Sequence, residues 1–150
     1  MPSEAFAVLR NHSRSLLWTR APEQLALGLT IGMLIGLMPK TNLLAFALCL
    51  LLFTVRCNKS LGLASAIVFS FVAQWTDAFA HRLGSMALDF EPLQACYASA
   101  FNLPLGPWIG FDNTVVTGSL LLGLYLAYPV YWISRLLFAS IGHTLAEAAE

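Results

Sequence analysis

The chain has 150 residues, 58% of them hydrophobic and 11% charged, with a formal net charge of zero and a mean hydropathy of +0.71. A soluble domain carries about 25% charged residues, so there is too little charge here to wet a globular surface, and the length leaves room for one domain. These figures argue against a soluble enzyme and a basic nucleic-acid binder, and they predict an all-α, polytopic integral membrane protein.

Residues 1–21 read as a cytoplasmic or interfacial amphipathic segment. Phe6, Leu9, Leu16 and Leu17 recur at near-helical spacing, with Arg10 and Arg14 elsewhere on the wheel, a pattern suited to an anionic membrane face. A solvated tail is the alternative. Arginines interrupt any apolar core and no small-residue cleavage site follows, so the segment does not read as a secretory signal.

A membrane domain is expected over residues 22–138. Pro22 and Glu23 suit the first turn of a helix. Apolar sequence then fills residues 22–38, breaks at Pro39, Lys40, Thr41 and Asn42, and resumes over residues 42–55. Each half is about 20 Å long, short of the roughly 30 Å hydrocarbon core. One long kinked helix and a broken or re-entrant hairpin are both open to such a pattern. Charge favours the hairpin, because Arg10, Arg14 and Arg20 precede it while Arg56 and Lys59 follow it, and the positive-inside tendency places both ends in the cytoplasm.

A span is expected over residues 60–81, followed by a short interfacial helix over residues 90–102, where Leu93, Tyr97, Ala100 and Phe101 form an apolar stripe. The acids Asp89, Glu91 and Asp112 place this stretch outside, and Trp108 suits a headgroup anchor. A second span over residues 113–138 returns the chain, leaving residues 139–150 as a cytoplasmic tail.

The run LALGLTIGMLIGLMPKTNLLAFALCLLLFTVRCN, with spaced glycines, a proline break and an Arg-x-Asn exit at Arg56 and Asn58, resembles the bacterial family called domain of unknown function 2062. FDNTVVTGSL, residues 111–120, looks like the head of the final span in a narrower branch of it. The resemblance implies a small multi-pass protein of the bacterial inner membrane with no established activity, catalytic residue or cofactor. In that branch the gene often stands beside one for a larger envelope protein, which implies a protein partner. Lys40, Thr41 and Asn42 stand where a glycine-containing turn is more usual, and the Asn-Pro pattern of the next span is lacking, so no functional residue is carried over.

Four groups of residues invite a test. Gly28, Gly32 and Gly36 fall four apart, a glycine-zipper face for close backbone packing, either within the chain or in a homo-oligomer. Lys40, Thr41 and Asn42, with the helix that follows, form a candidate site for an anion or lipid headgroup, or else simply cap the helix and snorkel. Ser70, Gln74, Asp77 and His81 share one helix face, with Arg82 beside them. That stripe handles a proton or cation, or is an interfacial charge cluster. Asp112 and Asn113 suit an N-cap.

No metal site, cofactor or nucleotide loop is expected: the histidines are scattered, Cys49, Cys57 and Cys96 lack ligand spacing, and the glycines sit inside an apolar helix. The leading expectation is a non-enzymatic membrane subunit that contacts lipids and docks with an envelope partner. The rival is a small oligomeric transporter or lipid-handling protein for an anionic solute or lipid.

Overall fold

The computed structural model describes residues 21–104, 106–110 and 112–147. The amphipathic segment expected over residues 1–21 lies, but for Ala21, outside the described residues. Those described form helices and turns without strands: α1 (Pro22–Leu37), α2 (Leu43–Thr54), α3 (Lys59–Leu88), α4 (Glu91–Phe101), α5 (Gly106–Ile109) and α6 (Thr114–Glu147). By length and composition α3 and α6 are able to cross a membrane, whereas α1 and α2 are shorter apolar helices.

Packing fixes the directions. Gly28 lies against the backbone of Asn58, Gly32 against Gly62 and Ser65, and Gly36 against Ala66 and Phe69, so α1 and α3 run parallel in register. Leu34 reaches Gly123, and Glu23 pairs with Arg135 at 2.7 Å, so α6 runs antiparallel to α1. Between α1 and α3 the chain returns through α2, whose Leu52 covers Gly62. The bundle thus has a base, where α1 and α3 begin, and a head, holding the α1–α2 turn, α4, α5 and the start of α6.

The glycine strip of α1 faces α3 rather than the returning arm α2. The reason is geometric: side-chain-free positions let the α3 backbone approach, and the Ser65 hydroxyl takes up that proximity by donating to the Leu29 carbonyl at 2.8 Å. Asn58 ties the base twice, its N–H donating to the Gln24 carbonyl at 3.0 Å and its side chain capping α3 through the Leu61 N–H at 3.0 Å.

Both long helices exceed the expected spans of residues 60–81 and 113–138. At the head α3 continues to Leu88 because nothing breaks it before Asp89, and its Ala80 and Gly84 lie directly on Gly118 and Thr114 of α6. Toward its other end α6 runs through Pro129 to Glu147. The short helix expected over residues 90–102 occupies Glu91–Phe101, with Pro92 in its first turn.

The distribution of side chains is inverted relative to a soluble bundle. Glycine, alanine, serine and threonine fill much of the interior, while Trp75 is 87% exposed, Tyr125 79% and Phe71 67%. Hydroxyls bond back to their own helices, as with Thr30 to Ala26 at 2.8 Å, Ser70 to Ala66 at 2.6 Å and Ser134 to Val130 at 2.6 Å. Among the described residues, no buried side-chain nitrogen or oxygen lacks a partner.

Candidate functional site

The polar groups singled out in the sequence meet in part at the head. Pro39 ends α1, and Lys40 folds back so that its ammonium donates to the carbonyls of Gly36 at 2.8 Å and Met38 at 3.0 Å. These are among the last carbonyls of α1, where a cation is favoured by the helix dipole. Asn42 closes the other side of the turn. Its Oδ1 accepts from the Ala45 N–H at 2.7 Å and its Nδ2 donates to the Pro39 carbonyl at 3.0 Å, capping α2. The Lys40 ammonium and the Asn42 amide are therefore both bonded to the chain's own backbone.

The turn does not stand alone. Thr41 and Asn42 line a polar depression of about 250 Å³ with Trp108, Gly110, Asp112 and Asn113. Gly110, at φ +79°, turns the chain into α6 there, a conformation that favours glycine. Of the two residues expected to cap α6, Asn113 does so, its Oδ1 accepting from the Val115 N–H at 2.9 Å. Asp112 lies one residue too early and borders the depression instead, because the helix begins at Thr114.

The stripe on α3 divides. Ser70 is satisfied within its helix, and Gln74 and Asp77 are exposed. Asp77 faces the turn closely enough to act on Lys40: burial pushes the Lys40 ammonium below its usual range, and electrostatic interaction with Cys49 and Asp77 draws it back up. His81 Nδ1 lies 2.6 Å from the Thr114 hydroxyl at the head of α6, not against Asp77. Arg82 leaves the stripe. It borders a separate depression with Trp75, Ala78 and Phe79, and it forms no ion pair with Asp77.

Sequence reasoning missed the closure of α3 on α6. Ala80 and Gly84 on one helix, and Thr114 and Gly118 on the other, are each four apart, the same small-residue spacing that was visible in α1. It also missed the ion pair of Glu23 with Arg135, whose guanidinium lies 5.3 Å from the Trp132 ring centre. Among the described residues no three His, Cys, Asp or Glu side chains converge as a metal ion would require.

Such a chain, all helical in its described parts, with an apolar exterior and two helices able to cross a bilayer, falls in the class of helical proteins with membrane-spanning potential. It belongs to the family of uncharacterized proteins conserved in bacteria (DUF2062), which matches residues 7–143. An uncharacterized protein of Treponema pallidum (strain Nichols) is 31% identical over 122 residues, covering 81% of this chain and 75% of the relative. No solved structure matches.

Proposed function

We propose that the chain is an integral protein of the bacterial cytoplasmic membrane and acts without catalysis, as a membrane subunit that docks with an envelope partner. In this reading α3 and α6 cross the bilayer and the α1–α2 hairpin enters from the base, with both chain ends cytoplasmic. The observation that carries it is the inverted surface. Exposed Phe46, Leu50, Ile67, Phe71, Leu124 and Leu136 girdle the bundle, a surface that water would drive into aggregates and that lipid tails solvate.

Charge supports the orientation: Arg56, Lys59 and Arg135 lie toward the base, while Asp89, Glu91 and Asp112 lie at the head. The docking role rests on the head itself, where Phe101, Leu103 and Trp108 are exposed beside those acids. A transport role for Lys40 loses support from its bonds to the α1 carbonyls.

Two measurements test the reading. With Cys49 and Cys57 replaced by alanine, exposed Cys96 on α4 reacts with a membrane-impermeant maleimide from outside the cell, whereas a cysteine at position 59 reacts only after permeabilisation. Labelling of the reverse pattern overturns the orientation. Mild crosslinking in native membranes followed by purification yields a stoichiometric envelope protein. A homo-oligomer carrying one enriched lipid or anion, and no partner, overturns the docking role.

A further inference from the structure

Beside the crossing of α3 and α6 at Ala80, Gly84, Thr114 and Gly118, the two helices border a groove of about 570 Å³. Phe79, Leu83 and Met86 of α3, Phe90 just before α4, and Leu122 and Tyr125 of α6 line it, so it is almost wholly apolar. Its volume falls within the roughly 300–1,000 Å³ of small-molecule sites. A second depression of about 300 Å³, bordered by Trp75, Ala78, Phe79 and Arg82, adjoins it, with Phe79 common to both.

Arg82 is the exceptional residue here. It is exposed, and its guanidinium makes no hydrogen bond or ion pair with any described residue; only its backbone carbonyl is used, by the Ser85 hydroxyl at 2.9 Å. The other cation of the head, Lys40, is engaged by the α1 carbonyls. Depth matters as well. Arg82 lies 23 residues beyond Lys59 on α3, about 35 Å along a helix rising about 1.5 Å per residue. That is just past a hydrocarbon core of about 30 Å, in the phosphate layer. Leu122 and Tyr125, further along α6 toward the base, and exposed Trp75 sit at acyl-chain depth, whereas Leu83, Met86 and Phe90 lie beyond Arg82 on the head side.

We propose that this cleft binds one anionic phospholipid of the bilayer, its phosphate held by the Arg82 guanidinium and one acyl chain lying along Phe79, Leu122 and Tyr125, in the part of the α3–α6 groove on the base side of Arg82. The proposal rests on the membrane reading above. A guanidinium binds phosphate oxygens in a bidentate fork, and an apolar channel continuous with it selects a ligand that is charged at one end and aliphatic at the other. Asp77 and Asp89 stand on either side of Arg82 in sequence, so an anion is drawn by direct contact with the guanidinium and not by net local charge.

The test uses Trp75 as reporter, with Trp18, Trp108 and Trp132 replaced by phenylalanine and helix content checked by circular dichroism. The protein is reconstituted in phosphatidylcholine vesicles in which a small fraction of the lipid is brominated phosphatidylglycerol or, in parallel, brominated phosphatidylcholine. Quenching by the anionic lipid reports an apparent local enrichment of about fivefold over the neutral one, the preference expected of one arginine at an anionic surface. Arg82→Gln removes the excess and Arg82→Lys retains part of it. Equal quenching by both lipids, or an excess that survives Arg82→Gln, overturns the lipid site while leaving the membrane reading intact. Absence of quenching even in wholly brominated phosphatidylcholine vesicles overturns the membrane reading itself.

Discussion

The bundle is closed twice by small residues, and the two closures differ. Toward the base, Gly28, Gly32 and Gly36 lay α1 along α3, and α6 packs against α1 from another side, so three helices share the contact. At the head α1 has ended, and α3 meets α6 through Ala80, Gly84, Thr114 and Gly118. The comparison shows one device serving two purposes: a strip that admits a third helix, and a pinch that closes the space above it. Neighbours of the pinch glycines are backbone atoms of the opposing helix, which cannot turn aside as a side chain can.

Substitution should separate the two regions. Gly84→Val places carbon against the Thr114 carbonyl, and Gly118→Val does the same at Ala80. Each is expected to cost about 3 kcal/mol or more, at the upper end of overpacking, read as loss of cooperative unfolding in a denaturing-detergent titration followed by circular dichroism. The pinch would be refuted as a structural element if either variant unfolded like the parent. In the strip, Gly32→Ala meets the Gly62 carbonyl and Ser65 Cβ, and a cost of about 2 kcal/mol is expected in the same titration. A larger loss there than at Gly84 would reverse the ranking.

Smaller effects sharpen the picture at the base. Asn58→Ala removes the cap of α3 and should cost about 1 kcal/mol, with the loss concentrated in amide exchange of the first turn of α3. Ser65→Ala deletes the hydroxyl donated to Leu29 and should cost about 0.6 kcal/mol, the usual value between membrane helices. Gly142→Ala serves as the control: an added methyl there meets nothing, and stability should hold or rise slightly.

Much of this fold was legible because apolar runs and breakers are local signals. Pro39 and Asn42 marked the turn, Asn58 marked an exit, and the fourfold spacing of Gly28, Gly32 and Gly36 announced a packing face. What that face would meet was not legible, since the choice between α2 and α3 depends on the direction in which the chain returns. Gly84 and Gly118 went unread because each stands alone beside polar residues, and their meeting exists only in three dimensions. Lys40 and Asn42 were read with two alternatives, and the distances resolve how each is bonded: both serve the turn. Arg82, grouped with the stripe by proximity in sequence, sits about 100° around the helix from His81, enough to put it in another cleft.

The peripheral place of α2 has a consequence for how freely its sequence can change. Only Ala45 and Leu52 of its residues are buried, and it packs far less on its neighbours than α1 does. Its task is to carry the chain back from the head so that Asn58 arrives beside Gln24. An apolar helix of the same length that keeps those two positions, and the packing of Leu48 and Cys49 on the core, would make the same return, so the outer face of α2 is open to exchange, while α1, the other short apolar helix, is bound residue by residue to its register.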